Sequence, residues 1–331
     1  MTRLSRKEPM PRTPENLTPV PDEPVVTGSG GLVVATDGTR DSDGAVRVGL
    51  ALARRDGVKA DVFSVVEPPS IVELDGTPVP DLEQLVEIAV DERGSMLLAQ
   101  RDRTHPGIRE WPYELAVGAR VDTIINRARA TSASLILLGL GSHGLGARVS
   151  QRETALRVIR AAGLPVLALP SDAWGVPHSA LVAVDFTASS EHAVRAALDL
   201  LGEDGTLYVA HVTPRLAIPQ GDPRSWDEIT KGGLISKLED LVRRLNPSPG
   251  IRAEYVLLHG DPAHELVAFA EETHVDLIAA GTHGRSALGR LVLGSVSTKL
   301  VRTAKCWVLV APPHRDASPA DDRRDTPNAW T

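Results

Sequence analysis

The sequence predicts an α/β fold that is built twice in tandem, each copy a doubly wound sheet of five parallel strands. Three observations support this prediction. The chain has 331 residues, 42% of them hydrophobic, which is enough for two domains with cores of their own. The two halves carry the same sequence pattern. Within each half, short apolar runs alternate with segments of helical periodicity, as in sheets covered by helices on both faces.

The internal repeat is clearest at the two ends of each copy. Residues 32–46 match residues 181–194, and residues 158–169 match residues 300–310. The matched positions are 148 residues apart at the start and 142 residues apart at the end, so the first copy carries about six extra residues, which we assign to 68–80. Two long copies are too few for a solenoid of stacked short repeats, and we therefore predict a duplicated domain.

The elements of the second copy are assigned in chain order from the period of their apolar residues. The helix at 226–245 has leucine or valine at 234, 238, 241, 242 and 245, which share one face. Asp261 followed by Pro262 is a typical helix start. Strands that alternate with helices are joined by right-handed crossovers, which gives a parallel sheet. The predicted strands are 180–185, 205–212, 253–258, 275–281 and 306–311, and the predicted helices are 189–201, 226–245, 262–272 and 295–303.

Composition sets the predicted domain boundaries. Both ends of the chain are rich in proline and poor in large apolar residues, and such segments bury too little surface to fold. A short stretch containing proline and glycine separates the two copies. We predict a disordered tail at 1–29, a first domain at 30–170, a linker at 171–178, a second domain at 179–312 and a second disordered tail at 313–331.

Each copy ends in a short apolar strand, at residues 166–169 and 307–310. An uncovered strand of this kind tends to pair with another strand edge. We therefore expect the two copies to pair within one chain through these strands, about a pseudo-twofold axis. A homodimer or an unidentified protein partner is a further expectation.

The composition disfavours several classes of function. A net charge of −7 leaves no basic excess for general binding to nucleic acid or to an anionic membrane, and we expect neither as a partner. The sequence contains no run of about eighteen apolar residues, and it therefore predicts no membrane-spanning helix. The single cysteine, Cys306, excludes an intrachain disulfide and fits a reducing compartment, so we expect a cytoplasmic protein.

Ligands of open α/β sheets bind beyond the carboxyl ends of the strands, and three segments of the second copy are expected to meet there. Asp185 is predicted to end the first strand, and His211 and Val212 the second. A glycine-rich segment, residues 281–295, follows the fourth strand. These three segments are the candidate ligand site of the second copy.

The glycine-rich segment has a regular spacing. Gly281 and Gly284 are followed after nine residues by Gly294 and Ser295, where the last helix is predicted to start. Glycines let backbone N–H groups approach a ligand, and a helix start adds unpaired N–H groups and a partial positive charge. The pattern therefore favours a phosphate ligand.

Simpler interpretations stay open for each of these residues. Glycines most often form turns, and Asp185 can be a turn former or a helix cap. His283 can reach a phosphate or lie exposed in a turn. Arg285 and Arg290 can offset phosphate charge or be ordinary surface arginines.

Together these motifs resemble the universal stress protein family in its tandem, ATP-binding form, over about residues 30–312. The resemblance implies HUP-like, Rossmann-like domains and ATP as cofactor, with or without Mg²⁺. It implies that Asp185 bonds the ribose hydroxyls and that the backbone around Ala183 and Val212 frames the adenine. The family often has proline where this chain has Ala183, a departure that a backbone contact tolerates. The remaining implied site residues are Ala280 in the pocket wall and Gly281, Gly284, Gly294, Ser295 and Val296 around the phosphates.

The first copy keeps the aspartate, as Asp37, but loses the glycine pattern. The aligned positions are Gly139, Ser142, Arg152 and Glu153, and a carboxylate at a helix start would repel phosphate. We therefore expect weak ATP binding or none in this copy. Residues 139–144 also match the dinucleotide fingerprint G-x-G-x-x-G. That fingerprint belongs after the first strand of a βαβ unit and opens directly into a helix. Here it follows the fourth strand, with Gly146 and Arg148 next, and we therefore set it aside.

We predict an ATP-binding stress-response or regulatory protein that acts through nucleotide-dependent conformation or interaction. The alternatives are a nucleotide-independent interaction scaffold, a slow ATPase, and a transferase or ATP-pyrophosphatase on the same sheet. The sequence has no Walker motif, no G-x-S-x-G elbow and no obvious base for hydrolysis. The scattered histidines give no metal site beyond an ion arriving with the nucleotide.

Overall fold

A computed structural model describes residues 31–68, 81–106, 113–141, 145–213, 223–282 and 293–313, with backbone only at 145–150 and 223–231. Both predicted tails and the extra segment of the first copy lie outside the described residues, apart from Pro68 and Pro313.

The first copy alternates strands and helices from its first strand to its last. Its turn after the first strand is a 3-10 helix at Arg40–Ser42. The elements are β1 Leu32–Ala35, α1 Asp43–Asp56, β2 Ala60–Val66, α2 Leu82–Thr104, β3 Glu114–Val117, α3 Arg120–Ala130, β4 Leu135–Gly139, α4 Leu145–Ala162 and β5 Val166–Leu169.

The second copy repeats this order, and each of its predicted elements is present within a few residues of the predicted bounds. Asp261 caps α7 by accepting a hydrogen bond from the backbone of His264, and Pro262 is its first residue, as predicted. The elements are β6 Ser179–Ala183, α5 Ala188–Leu200, β7 Thr206–Thr213, α6 Pro223–Leu245, β8 Arg252–His259, α7 Pro262–Thr273, β9 Leu277–Gly281, α8 Ser295–Thr303 and β10 Trp307–Ala311.

The prediction that the first strand of this copy ends at Asp185 is wrong, because β6 ends at Ala183. The chain turns out of the sheet here. Oδ1 of Asp185 accepts hydrogen bonds from the backbone N–H and the hydroxyl of Thr187, and Phe186 between them has a φ of 62°. A side chain that bonds its own backbone two residues on forms a turn in place of extended strand.

The ten strands of the described residues form one sheet, in the order β3-β2-β1-β4-β5-β10-β9-β6-β7-β8. Neighbouring strands are parallel, except that β5 and β10 pair antiparallel with Leu167 opposite Leu309. The predicted pairing of the two copies through their last strands is confirmed. The antiparallel pair is the relation expected of two copies about a pseudo-twofold axis.

The core lies on both faces of the sheet, and on each face it runs through both copies. One layer joins α1 of the first copy with α5 and α6 of the second. The other joins α3 and α4 with α7 and α8. The predicted apolar stripe of α6 faces the first layer, where Leu238 and Leu241 are fully buried. The prediction of doubly wound α/β sheets in tandem is confirmed.

No helix in the described part of the chain is long and apolar enough to cross a membrane.

Candidate functional site

A cavity of about 380 Å³ opens at the carboxyl ends of β6, β7 and β9, next to the first turn of α8. The predicted site residue Gly284 and its neighbours His283, Arg285 and Arg290 lie outside the described residues. The other eight predicted site residues all line this cavity: Ala183, Asp185, Val212, Ala280, Gly281, Gly294, Ser295 and Val296.

The turn after β6 holds Asp185 at one side of the cavity. Thr187 caps α5 with a capping box. The Thr187 hydroxyl accepts from the backbone N–H of Ser190, and the Ser190 hydroxyl accepts from the backbone N–H of Thr187. Asp185 accepts from the Thr187 hydroxyl at 2.6 Å. The carboxylate is therefore oriented by the turn and is half-buried at the cavity.

His211 connects the second strand to this turn. Its Nδ1 lies 2.6 Å from the Val184 carbonyl, so this nitrogen carries the proton and donates. The ring also contacts Phe186, with ring centroids 5.1 Å apart. The sequence indicated His211 only as the end of a strand. Its observed role is to tie β7 to the turn that carries Asp185.

Gly281 is a glycine because α5 packs against it. A Cβ at this position would lie 2.5 Å from the hydroxyl oxygen and 2.8 Å from the backbone carbon of Ser189. Its carbonyl accepts a hydrogen bond from the hydroxyl of Ser297 at 2.5 Å. The aligned Gly139 of the first copy is equally crowded by the backbone of Asp41 and Ser42. Close packing therefore accounts for both glycines, in place of the turn that the simpler interpretation of the sequence offered.

Gly294 differs, because its backbone does not require glycine. It stands before α8 with a φ of −59°, which any residue adopts. Among the described residues no side chain caps this helix end, and the Gly294 N–H donates to the Thr282 carbonyl. The first turn of α8 therefore presents its N–H groups and the positive end of the helix dipole to the cavity.

One wall of the cavity was not predicted from the sequence. Pro262 and Leu266, from the first turn and a half of α7, line it. The sequence indicated Pro262 only as a helix start and did not single out Leu266, which is fully buried. Their position just after the carboxyl end of β8 is the signal that could have placed them at the site.

The corresponding cavity of the first copy measures only about 60 Å³. Asp37 is bonded on both carboxylate oxygens: Oδ1 accepts from Thr39 and Ser42, and Oδ2 accepts from Nε2 of Gln151 at 2.9 Å. Burial raises the pKa of Asp37, but the hydrogen bonds from Thr39, Ser42 and Gln151 outweigh burial and leave the pKa below its ordinary value. Side chains of the copy itself thus occupy the surroundings of this aspartate.

In the first copy a longer helix, α4, spans the positions that align with the start of α8. The expectation that Glu153 stands at a helix start is wrong, since α4 begins at Leu145 and places Arg152 and Glu153 in its interior. Residues 142–144 of the G-x-G-x-x-G match lie outside the described residues. The match does open into a helix, which removes one of the two reasons for setting it aside. It still follows β4, the fourth strand.

The described residues contain no group of three or more His, Cys, Asp or Glu side chains that could hold a metal ion. Cys306 lies in the second core layer, where burial raises the pKa of its thiol to about 11. A thiol with so high a pKa stays protonated at neutral pH and is a poor nucleophile.

The chain is similar to known proteins over both copies. The model of the universal stress protein family matches residues 31–170 and 178–312. A universal stress protein of Mycobacterium tuberculosis strain H37Rv is 25% identical over 295 residues, covering 85% of this chain and 96% of its own. One from Methanocaldococcus jannaschii is 34% identical over 124 residues, covering 37% of this chain and 72% of its own. The crystal structure of a universal stress protein from Archaeoglobus fulgidus matches 87% of this chain and 98% of its own, with a TM-score of 0.59 at 20% identity, which supports the fold.

Proposed function

The chain belongs to the universal stress protein family, and on that premise we propose that it is a regulatory protein of the stress response whose second copy binds ATP. Binding stabilises the conformation that accepts the nucleotide, because a ligand favours the state it binds. The protein then acts through the surface that this conformation presents to partners. One cysteine in 331 residues is the ground for proposing the cytoplasm as its compartment.

One observation carries the proposal: the cavity of the second copy has a carboxylate on one side and, on the other, a helix start that no described side chain caps. A carboxylate accepts hydrogen bonds from vicinal hydroxyls, such as those of a ribose. A helix start with free N–H groups binds phosphate. A cavity of about 380 Å³ is also in the size range of small-molecule sites. A nucleoside phosphate has both chemical groups in one molecule.

The proposed contacts follow from these two sides. Asp185 bonds the ribose, and the backbone around Ala183 and Val212 frames the adenine. Pro262 and Leu266 supply an apolar wall. Ala280 lines the pocket, and the phosphates lie against the segment made by Gly281, Gly284, Gly294, Ser295 and Val296.

Gly294 supports this assignment more strongly than Gly281 does. The packing of Ser189 explains Gly281 without a ligand, whereas the φ of Gly294 suits any residue. Bare backbone at a helix start is what a bound phosphate requires. Mg²⁺, if used, arrives with the nucleotide, because it prefers phosphate oxygens and water.

The first copy is proposed not to bind ATP. Its cavity is about 60 Å³, its aspartate is engaged by Gln151, and the interior of α4 stands where the second copy has a helix start. We therefore expect one ATP per chain.

Calorimetric titration with ATP tests the proposal on the intact chain. We expect one site, and Asp185→Asn should weaken it roughly 10- to 100-fold, because hydrogen bonds to a charged group contribute about 1.5–3 kcal/mol. Gly284→Val should abolish binding. Asp37→Asn is the matched control, since it makes the same change in the first copy, and it should leave the affinity unchanged.

Two sites of similar affinity would contradict the proposed loss of the first site. No binding at all would leave a nucleotide-independent scaffold. Release of phosphate from labelled ATP at a rate that Asp185→Asn removes would instead show a slow ATPase.

A further inference from the structure

We propose that the first copy controls the ATP site of the second by holding the end of α8. The residues that hold it are Arg152 and Glu153 of α4, which we call the α8 clamp. The inference rests on the proposed function for the identity of the ligand. It assigns Arg152 and Glu153 a role as positioning residues, since neither lines the cavity of the second copy.

The clamp consists of two contacts between the copies. Nη1 of Arg152 donates to the carbonyl of Val301 at 2.7 Å. Nη2 of Arg302 donates to Oε1 of Glu153 at 2.6 Å, forming an ion pair. Val301 is in the last turn of α8, where carbonyls have no partner within the helix. A guanidinium at this position also interacts favourably with the negative end of the helix dipole.

The helix connects the clamp to the ligand site directly. α8 has nine residues, so its two ends are only about 13 Å apart at 1.5 Å per residue. Its first turn faces the cavity, and its last turn is held by α4. Leu300 and Val301 are fully buried in the same core layer as Leu156 of α4. A packed helix this short moves as one body, so a displacement of its last turn displaces the N–H groups of its first.

The positions of the clamp residues in the repeat strengthen the inference. Arg152 and Glu153 align with Gly294 and Ser295, which border the cavity in the second copy. The substitutions that remove the helix start from the first copy therefore create its contact with α8. Coupling between two sites is reciprocal, so ATP should in turn strengthen the contact between α4 and α8.

The test is ATP titration of clamp variants of the full chain. Arg152→Ala should weaken ATP binding about fivefold, at the low end of ordinary coupling between sites. Arg152→Lys keeps a charged donor and should recover most of the affinity. Glu153→Arg and Arg302→Glu should each weaken binding, and the double charge reversal should restore it. Arg157→Ala, at an exposed position one turn further along α4, is the control and should have no effect.

Hydrogen exchange of the ligand-free protein gives a second measurement that does not depend on ATP. Amides at 297–303 should exchange faster in Arg152→Ala than in the wild type or in Arg157→Ala. If the wild type binds no ATP, the proposed function fails, and unchanged exchange at these amides then overturns the clamp as well. If the wild type binds ATP, either of two results overturns the clamp alone. One is an ATP affinity of Arg152→Ala equal to that of the wild type. The other is a double charge reversal that binds ATP no more tightly than its two single variants.

Discussion

The residue after the aspartate has a left-handed conformation in both copies. In the first copy it is Gly38, with a φ of 76°, and in the second it is Phe186, with a φ of 62°. The conformation costs a non-glycine residue about 1–2 kcal/mol. The contact of the Phe186 ring with His211 offsets part of this cost. A strained residue directly beside Asp185 fits the tendency of strain to occur at functional sites.

Two glycines of the site should respond differently to the same substitution. Gly281→Ala should lower the free energy of unfolding by about 1–3 kcal/mol, because its Cβ would overlap with Ser189. Gly294→Ala should change stability by less than about 1 kcal/mol, since its φ of −59° suits alanine, but should weaken ATP binding. Urea unfolding and calorimetric titration of both variants separate the two effects. A stable Gly281→Ala protein would show that the packing explanation is wrong.

Asp37 should stabilise the fold in a pH-dependent way. Its pKa is below the ordinary value of 3.8 in the folded state, because hydrogen bonds from Thr39, Ser42 and Gln151 outweigh the effect of burial. A depressed folded-state pKa contributes stability above the unfolded-state pKa, and this contribution is lost as the pH falls through the folded-state pKa. The stability difference between the wild type and Asp37→Asn should therefore be constant near neutral pH and shrink below about pH 4. Chemical unfolding at a series of pH values measures it, and a gap that widens in acid would contradict it.

At the scale of elements, the sequence predicts the types and the order of the strands and helices well, but some of their ends poorly. The strands and helices of the second copy follow from apolar periodicity, because burial on one or two faces dictates that pattern. The end of β6 could not be predicted, since hydrogen bonds from Thr187 to Asp185 decide where the chain leaves the sheet. The start of α4 was mispredicted because the repeat suggested elements of equal length, whereas α4 has 18 residues and α8 has nine.

The candidate site was likewise predicted in part from the sequence. Residues that end strands were predicted to meet, because the topology of a parallel sheet brings carboxyl ends together. The apolar wall from α7 and the bond from Gln151 to Asp37 depend on side-chain packing between distant segments, which no local pattern records. Whether the predicted residues bind a nucleotide stays a prediction.

One helix end is held across the two copies by Arg55 of α1. Its guanidinium donates to the carbonyls of Asp199, Leu200 and Leu201 at the end of α5. Arg55→Ala should lower the free energy of unfolding by roughly 1–2 kcal/mol, because these carbonyls lose a charged donor at the negative end of the helix dipole. The neighbouring Arg54, exposed on the same helix, is the matched control, and its alanine variant should stay within about 0.5 kcal/mol of the wild type. Equal stability of the two variants in urea unfolding would contradict a capping role.

At the scale of the whole molecule, the two copies share both core layers and one sheet. The seam between them, β5 against β10, is made of fully buried residues such as Leu167 and Leu309. Separating the copies would expose this strand edge and the apolar residues of both layers. Interfaces of that kind resemble a domain core, in contrast to the smaller and more polar contacts between independent domains.

We therefore expect the described part of the chain to unfold as a single cooperative unit despite its two copies. Scanning calorimetry should give one transition, with equal calorimetric and van't Hoff enthalpies. ATP bound only in the second copy should raise the midpoint temperature of this entire transition. At a concentration 100 times the dissociation constant, ATP adds about 2.7 kcal/mol to the free energy of unfolding. Gly284→Val should unfold in one transition that ATP does not shift. Two transitions, of which ATP moves only the one belonging to the second copy, would show that the copies are energetically independent. Reciprocal coupling through α8 would then be weak, because a helix cannot transmit a displacement across an interface that opens on its own.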